Sequence, residues 1–398
     1  MQDKQVEKLI KDEAKRQKSV INLIASENYV SKDILQALGS ELTNKYAEGY
    51  PGRRYYGGNT IIDKVENLAI SRALKLFKLK PEDWHVNVQL LSGSPANFAL
   101  YSALVSPEFD KEGKPTKKIM GMKLTSGGHL THGHPLSITG KLWKSIQFEL
   151  DPVTQMIDYE KLKALAVAEK PDIIVAGFTA YPRFVDFKKF REIADVSDSL
   201  LHVDMSHFAG LVAGGVYPSP FPYADSVMTT THKSLRGPRQ AILFVKKDER
   251  GFDKKLDKMV IPGLFGGPHE NNIAGVAIAL KEDDTPAFKK YAKQVVKNAQ
   301  TLAKGLQKLG WKIISGGTDS HLILMDTFSS KGISGKEASE KLEKAGIIVN
   351  MNTVPGDTRS VMDPSGIRLG TCAETTRGKK EKDMLKIAQK IDKILKGK

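Results

Sequence analysis

A polar tripeptide, Ser92-Gly93-Ser94, lies between an apolar run typical of a buried strand and a pattern typical of a helix. At the start of a helix, unpaired N–H groups and the helix dipole favour an anion, and two hydroxyls can add hydrogen bonds. The segment could therefore hold a phosphate group. The same tripeptide is also common as a helix cap without a ligand, and taken alone it favours that simpler interpretation.

Asp204 and Lys233 follow two later apolar runs and could supply the rest of a reactive site. A carboxylate at the carboxyl end of a strand, as at Asp204, is suited to pairing with a protonated ring nitrogen. Lys233 follows Thr229-Thr230-Thr231-His232. An enclosed lysine with a neutral amine can form a Schiff base with a carbonyl compound. The simpler interpretations are an aspartate that caps a loop and a lysine that faces solvent.

The order of these features along the chain favours a reactive site over the simpler interpretations. A phosphate cradle, then an acid, then a lysine, on successive strands, suits pyridoxal phosphate (PLP), whose ring needs an acidic partner in order to act as an electron sink. His232 and the threonine hydroxyls would hold the lysine and the phosphate in a polar but enclosed site. The residues therefore predict a PLP enzyme with its Schiff base on Lys233.

A sheet must position these residues, and the sequence predicts one. The predicted strands are 86–90, 118–122, 173–176, 200–204, 226–230 and 241–245, and helical patterns at 94–105, 159–169 and 187–194 lie between them. Crossovers of this length predict an α/β fold with a mostly parallel central sheet flanked by helices. Such sheets bind ligands at the carboxyl ends of their strands, where the polar segments lie.

The pattern changes after Asp284. A long helical segment at 286–309 precedes strands at 312–314 and 322–326, a helix at 335–345 and a final lysine-rich helix. This order predicts a smaller C-terminal α+β domain. We therefore predict an N-terminal helical arm at 1–20, a large PLP-binding domain with an N-terminal interface segment at 21–284, and a small domain at 285–398.

Composition narrows the class of protein. Of the 398 residues, 40% are hydrophobic and 27% charged, as in an ordinary globular protein. No apolar run approaches the roughly 20 residues of a membrane span, and the charged N-terminus, which carries Asp3, Glu7, Asp12 and Glu13, is unlike a secretory or transit peptide. The single cysteine, Cys372, favours a reducing compartment, so we predict a cytoplasmic protein. The net charge of +15 is spread along the chain, so nucleic-acid binding is not expected. No metal site is predicted either.

A Tyr- and Gly-rich stretch at 43–58 has no helical or strand period, and it could be an interface, a site or both. At this stretch and at the residues above, the chain resembles the serine hydroxymethyltransferase family, from about Val20 to Gly378. The motifs that carry the resemblance are residues 43–58, Leu23-Ile24-Ala25-Ser26-Glu27-Asn28, Gly127-Gly128-His129-Leu130-Thr131-His132-Gly133, Val203-Asp204-Met205-Ser206-His207, 229–233 with Leu235-Arg236-Gly237-Pro238-Arg239, and Gly366-Ile367-Arg368-Leu369-Gly370-Thr371.

The resemblance implies fold type I of the PLP-dependent transferases and a role for each matching residue. Lys233 would form the Schiff base, and Glu48, His232 and Tyr56 would complete the catalytic set. The cofactor would be held by Lys233 and by Tyr46, Ser92, Gly93, Ser94, His129, Thr179, Asp204, His207 and Gly267. The amino-acid substrate would contact Ser26, Glu48, Tyr55, Tyr56, His207 and Arg368, and the folate would contact Leu124, Gly128, Leu130 and Asn352.

The activity implied by the resemblance is reversible transfer of the hydroxymethyl carbon of serine to tetrahydrofolate, which gives glycine and 5,10-methylenetetrahydrofolate. Tyr46 and Gly267 would reach a neighbouring subunit, which implies a homodimer or homotetramer. Two alternatives stay open: a folate-independent aldolase for threonine-type 3-hydroxy amino acids, and a PLP- or RNA-binding regulatory protein without turnover. The intact set of Lys233, Asp204, Glu48 and Arg368 argues against the second alternative.

Overall fold

The computed structural model describes residues 1–397, and the chain begins with three helices and three short strands. Their bounds are α1 (Lys4–Ser19), β1 (Ile21–Asn22), α2 (Lys32–Leu38), β2 (Gly49–Tyr50), β3 (Arg53–Arg54) and α3 (Thr60–Leu76). Asp3 caps α1 by accepting hydrogen bonds from the N–H groups of Gln5 and Val6, as expected of an aspartate at a helix start. Strands β2 and β3 form an antiparallel hairpin.

A seven-stranded sheet forms the centre of the molecule. Its strands are β4 (Trp84–Leu90), β5 (Lys118–Met122), β6 (Lys144–Phe148), β7 (Ile173–Gly177), β8 (Leu200–Asp204), β9 (Ser226–Thr230) and β10 (Ala241–Lys246). Their order across the sheet is β4-β10-β9-β8-β7-β5-β6. Strand β10 is antiparallel to both of its neighbours, and the other pairs are parallel. The predicted α/β class with a mostly parallel sheet is confirmed.

Helices cover both faces of this sheet. They are α4 (Gly93–Leu104), α5 (Ile138–Leu142), α6 (Tyr159–Glu169), α7 (Phe187–Val196), α8 (Ala209–Ala213) and α9 (Phe252–Lys258). Along β7, Ile174 belongs to one hydrophobic core, whereas Ile173 and Val175 belong to another. Because successive side chains of a strand point to opposite faces, the two cores lie on opposite sides of the sheet.

The C-terminal part of the chain builds a second sheet. Its elements are α10 (Glu270–Asp283), α11 (Pro286–Lys308), β11 (Lys312–Ile313), β12 (Leu322–Asp326), α12 (Thr327–Lys331), α13 (Gly335–Lys344), β13 (Ile347–Ile348), β14 (Asn350–Asn352), β15 (Gly366–Gly370), α14 (Cys372–Thr376) and α15 (Glu381–Leu395). Four of the strands form an antiparallel sheet in the order β11-β12-β15-β14. Helices α11, α13 and α15 pack on it around a core of their own.

The segment after α1 joins this second sheet region. Strand β1 pairs in parallel with β13, and the fully buried Leu23 lies in the C-terminal core. The N–H of Gly370 donates to the Leu23 carbonyl at 2.7 Å, and a Cβ at Gly370 would lie 2.3 Å from Ala25 Cα. Residues close to the N-terminus are therefore packed against residues close to the C-terminus. The domain boundaries at 20/21 and 284/285 stay predictions.

Several elements of the structure lie outside every predicted segment. Among them are helix α3, helix α10 and strand β6, and α3 and α10 pack against each other. Among residues 1–397, no helix combines the length and the apolar character that crossing a membrane requires.

We expect the Leu23→Ala substitution to lower the free energy of unfolding by about 2–5 kcal/mol, because it leaves a cavity in the C-terminal core. Denaturant unfolding of the purified protein measures the change. Leu136→Ala is the matched control, since Leu136 is 80% exposed and Leu23 is 0% exposed. Equal losses for the two variants would contradict the packing role of Leu23.

Candidate active site

A cavity of about 400 Å³ lies at the carboxyl ends of β4, β8 and β9. The predicted site residues that line it are Ser26, Ser92, Gly93, Ser94, His129, Thr179, Asp204, His207, His232, Lys233 and Arg368. Arg368 lies on β15, so the cavity lies where the second sheet meets the first. The structure thus brings together most of the residues that the sequence placed in one site.

The start of α4 forms one end of this cavity. Ser92 occupies the position before the first helical residue, but its side chain makes no capping hydrogen bond within the described part of the chain. A Cβ at Gly93 would lie 2.8 Å from Thr230 Cγ2, so a larger residue would clash with the end of β9. The helix-cap interpretation of Ser92 therefore finds no support, and the first-turn N–H groups are available to an anion.

Asp204 is 6% exposed and is held by hydrogen bonds from three segments. Its Oδ2 accepts from Asn97 Nδ2 at 3.1 Å and pairs with His132 Nε2 at 3.2 Å, and its Oδ1 accepts from the Ser206 N–H at 3.1 Å. Burial raises the pKa of this carboxyl, but the bonds from His132 and Ser206 and the nearby His129 outweigh burial and hold the pKa well below 3.8. Asp204 is therefore an anion that can pair with a protonated ring nitrogen.

His129 is oriented by the same network. Its Nδ1 lies 2.7 Å from Thr131 Oγ1 and accepts from the Thr131 N–H at 3.2 Å, which leaves the proton on Nε2. Asn97 Nδ2 donates to Thr131 Oγ1 at 2.9 Å, and Asn97 Oδ1 lies 3.1 Å from His202 Nε2. Burial lowers the pKa of His129 to about 4, so its imidazole is neutral and its face can stack on a flat ring.

Lys233 Nζ donates to Thr230 Oγ1 at 2.7 Å. The pKa of Lys233 is lowered to about 8, chiefly by burial; the charge of Asp204 opposes the shift, and the charges of Arg368 and Arg239 add to it. A sizeable fraction of the amine is therefore neutral near pH 8, as nucleophilic attack on a carbonyl requires. Burial lowers the pKa of the adjacent His232 to about 3, so its imidazole is neutral beside the amine.

Arg368 reaches the cavity with its guanidinium held in place by two acceptors. Its Nε donates to Asn350 Oδ1 at 3.1 Å, and its Nη1 donates to the Thr179 carbonyl at 2.7 Å. Burial lowers the pKa of Arg368 to about 10, which keeps the group charged at neutral pH. The Thr179 hydroxyl donates to the Gly128 carbonyl at 2.8 Å, so this side chain also braces the glycine-rich loop.

His207 lies on a second buried histidine. The His207 and His321 rings stack with centroids 5.6 Å apart, His207 Nδ1 lies 3.4 Å from His321 Nε2, and the latter lies 3.2 Å from the Ala25 carbonyl. Burial lowers the pKa of both histidines, that of His321 to about 3. The pair therefore links the segment that carries Ser26 to the loop after β8 without adding charge.

Five predicted residues lie elsewhere, and we call them the hairpin cluster: Tyr46, Glu48, Tyr55, Tyr56 and Gly267. None of the five, all of which the structure describes, lines the cavity around Lys233. The three tyrosines are exposed, and Tyr46 Oη lies 3.3 Å from Glu48 Oε1. A Cβ at Gly267 would lie 3.4 Å from the Tyr46 ring. The cluster is thus one compact group on the surface of the chain.

The four folate positions also lie outside the residues that line the cavity, all four being in the described range. Leu124 begins a short 3-10 turn, Asn352 ends β14, and Thr353 Oγ1 donates to the Thr125 carbonyl at 3.1 Å, which joins the two segments. A Cβ at Gly128 would lie 1.9 Å from the Met122 carbonyl oxygen, so this position admits only glycine. Leu130 is 44% exposed.

Sequence reasoning missed the residues that hold the site residues in place. Asn97, His132, Thr131 and Asn350 each bond directly to a predicted residue. The signal that could have found Asn97 is its polar side chain within the apolar run of α4, where it is fully buried. A buried amide needs partners, and the nearest ligand-binding side chains are the natural ones.

The residues of the cavity fit PLP. An uncapped helix start with Ser92 and Ser94 suits a phosphate, the ionised Asp204 suits a protonated pyridine nitrogen, and the partly neutral Lys233 suits an aldehyde. Among residues 1–397, no group of three or more His, Cys, Asp or Glu side chains could hold a metal ion.

Comparisons with known proteins agree with this chemistry. A family model described as serine hydroxymethyltransferase matches residues 1–391. The serine hydroxymethyltransferase of Desulfotalea psychrophila is 52% identical over 394 residues, which cover 99% of this chain and 89% of that protein. That of Koribacter versatilis is 50% identical over 386 residues, which cover 97% of this chain and 87% of that protein. This chain therefore belongs to the serine hydroxymethyltransferase family, whose members are PLP-dependent one-carbon transferases of fold type I with tetrahydrofolate as co-substrate.

Proposed function

We propose that this chain transfers the hydroxymethyl carbon of serine reversibly to tetrahydrofolate, which gives glycine and 5,10-methylenetetrahydrofolate. The observation that carries the proposal is the convergence of Lys233, Asp204 and Arg368 on one cavity of about 400 Å³. Family membership supports the same reaction, and the comparisons favour neither the aldolase nor the regulatory protein.

PLP would be held at three points in this cavity. Ser92, Gly93 and Ser94 would bind its phosphate at the start of α4, Asp204 would pair with its ring nitrogen, and Lys233 would bind its aldehyde carbon. His129, Thr179 and His207 would contact the ring, joined by Tyr46 and Gly267 from another copy. When bound, PLP supplies an electron sink for the negative charge that develops at the amino-acid α-carbon.

Arg368 would orient the amino-acid substrate. Its planar guanidinium can bind a carboxylate through two parallel hydrogen bonds, a geometry that lysine cannot reproduce. Asn350 and the Thr179 carbonyl already fix the plane of the group, so little conformational entropy would be lost on binding. Ser26, Tyr55 and Tyr56 would add contacts, the two tyrosines from a second copy of the chain.

Lys233 and Glu48 would transfer protons. Lys233 would accept and return the proton of the amino group, since its pKa of about 8 lies near neutral pH. Glu48, with Tyr46 against one of its oxygens, would hold or move a proton at the hydroxymethyl oxygen of the substrate. Because the His232 imidazole is neutral, it would add no second positive charge beside Lys233.

The hairpin cluster supports an active unit of at least two copies. Its three tyrosines are exposed and Glu48 is half-buried, and all of its residues lie apart from the cavity of their own chain. A symmetric dimer would bring the hairpin cluster of each chain to the cavity of the other. Leu124, Gly128, Leu130 and Asn352 would then hold the folate beside the assembled site.

A cytoplasmic location is our further proposal, supported by the single cysteine, which is buried.

The decisive experiment follows the β-carbon of isotopically labelled serine. We expect the label to appear in methylenetetrahydrofolate in proportion to the glycine formed, and serine cleavage to accelerate when tetrahydrofolate is added. Cleavage that tetrahydrofolate does not accelerate, with release of free aldehyde, would instead establish the folate-independent aldolase.

We expect Lys233→Gln to abolish covalent attachment of PLP while the protein stays folded. Borohydride reduction of the PLP-loaded wild type should leave the cofactor on the peptide that contains Lys233, and mass spectrometry of the digest locates it. Lys246→Gln, at the end of the neighbouring strand β10, is the matched control and should keep the label. A label on any other lysine would refute the assignment.

Glu48→Gln and Lys233→Gln should complement each other if the active unit contains two copies. Each variant alone should lack transferase activity. A mixture that is dissociated and reassembled should regain about a quarter of the wild-type activity, because half of the dimers are mixed and each of these has one intact site. Catalysis within a single chain predicts no recovery at all, and the same assay on the unmixed variants serves as the control.

A further inference from the structure

Two carboxyl groups are buried side by side beneath the hairpin of β2 and β3. Glu66 on α3 and Glu270 at the start of α10 are each 1% exposed. Neither was predicted as a site residue, and neither lines the cavity around Lys233. Buried glutamates are rare without a compensating charge, so the pair requires a physical explanation.

Arg54 is the cation that contacts Glu66. Arg54 on β3 donates from Nη2 to Glu66 Oε1 at 2.7 Å and from Nε to Asp63 Oδ1 at 2.9 Å, and its side chain is 4% exposed. Gln89 Nε2 donates to both oxygens of Glu66, at 3.1 and 2.9 Å. Glu66 is therefore fully satisfied as an anion. A single arginine cannot also neutralise Glu270.

Both side-chain oxygens of Glu270 are buried, and neither has a hydrogen-bond partner among the described residues. Burial, followed by the charge of Glu66, raises the pKa of Glu270 to about 9. A protonated Glu270 has an O–H to donate, and Glu66, whose charge contributes to the raised pKa, is the acceptor on the adjoining helix α3. Two adjacent carboxyls that share one proton avoid the repulsion of two buried anions.

Charged residues on the other elements that pack on α10 do not neutralise Glu270. The charged groups that face Glu270 are Glu66 and Asp63 on α3 and Arg54 on β3. Helices α2 and α11 and the 3-10 turn at Glu41–Asn44 also pack on α10. Their nearby charged residues, Lys32, Asp33, Glu41, Lys289 and Lys290, are exposed to solvent.

The carboxyl pair is connected to Glu48 through the backbone. Arg54 Nη1 donates to the Ala47 carbonyl at 2.7 Å and to the Gly49 carbonyl at 3.0 Å, which are the two carbonyls on either side of Glu48. Gln89 Nε2 also donates to the Gly49 carbonyl at 3.0 Å. A Cβ at Gly266, in the segment that leads to α10, would lie 2.8 Å from Glu48 Oε1. The position of Glu48 thus depends on where Arg54 and Gln89 are held.

We propose that Glu270 is a positioning residue for Glu48: its carboxylic proton is donated to Glu66, and the resulting neutral–anionic pair holds Arg54 and the hairpin that carries Glu48. Ionisation of Glu270 would place a second buried anion beside Glu66 and loosen this arrangement. The catalytic part of the inference rests on the proposed role of Glu48, whereas the shared proton does not depend on it.

The sign of the pH dependence follows from the raised pKa. Between pH 4.5 and about 9, Glu270 is protonated in the folded chain and ionised in the unfolded chain, so it lowers the free energy of unfolding as the pH rises. Glu270→Gln is neutral at every pH and still donates a hydrogen bond. The unfolding temperature of this variant, relative to that of the wild type, should therefore rise by several degrees from about pH 6 to about pH 9.

Activity of the PLP-loaded enzyme separates positioning from packing. Glu270→Gln should keep kcat within about twofold of the wild type and should lose the decline in kcat above about pH 9. Glu270→Met has a similar size but no donor, so its kcat should fall about tenfold at all pH values, with PLP binding unchanged. Glu282→Gln on the same helix is the matched control and should change none of these quantities.

Equal behaviour of the Gln and Met variants would overturn the positioning role. A Glu270→Gln variant whose unfolding temperature follows the pH as the wild type does would overturn the shared proton. If the wild type lacks transferase activity, the proposed function fails, and the pH dependence of unfolding still decides whether Glu66 and Glu270 share a proton.

Discussion

The site depends on keeping Asp204 ionised while it is almost completely buried. A lone carboxylate in such a place would take up a proton, because the loss of hydration is not compensated. Here Asn97, His132 and Ser206 compensate it. These residues come from helix α4, the loop after β5 and the loop after β8. One charge therefore fixes the relative positions of three segments that surround the cavity.

The sequence predicted the central sheet well because its strands are buried on both faces. Runs such as Leu200–Asp204 and Ser226–Thr230 have the predicted bounds, since almost every residue in them is apolar or small and both ends are marked by polar residues. Strand β10 was predicted as a strand, but its antiparallel direction depends on pairing with β9 and β4, which no local pattern encodes. Helix α3 carries Glu66 among its buried residues, and helix α10 carries Glu270 and Asp283 among its own, so charged residues interrupt the apolar pattern of both helices.

The cavity residues could be predicted because each stands next to a strand end or in a motif of its family. The residues that orient them could not, because hydrogen bonds such as that of Asn97 with Asp204 join positions 107 apart. The hairpin cluster marks the other limit. The sequence places its residues in the same site as Lys233, but in a single chain they do not line that cavity, and their role stays a prediction.

Hydrogen bonds between residues close in sequence hold the loop that carries Lys233. The Thr231 hydroxyl contacts the Pro238 and Gln240 carbonyls, seven and nine positions away, and these bonds close the loop between β9 and β10. The hydrogen bond from Arg368 to the Thr179 carbonyl joins residues that are 189 positions apart in the sequence. Contacts of short sequence separation cost little loop-closure entropy, whereas long ones form only after much of the chain is in place. Closing the Lys233 loop therefore costs less chain entropy than bringing Arg368 to the Thr179 carbonyl.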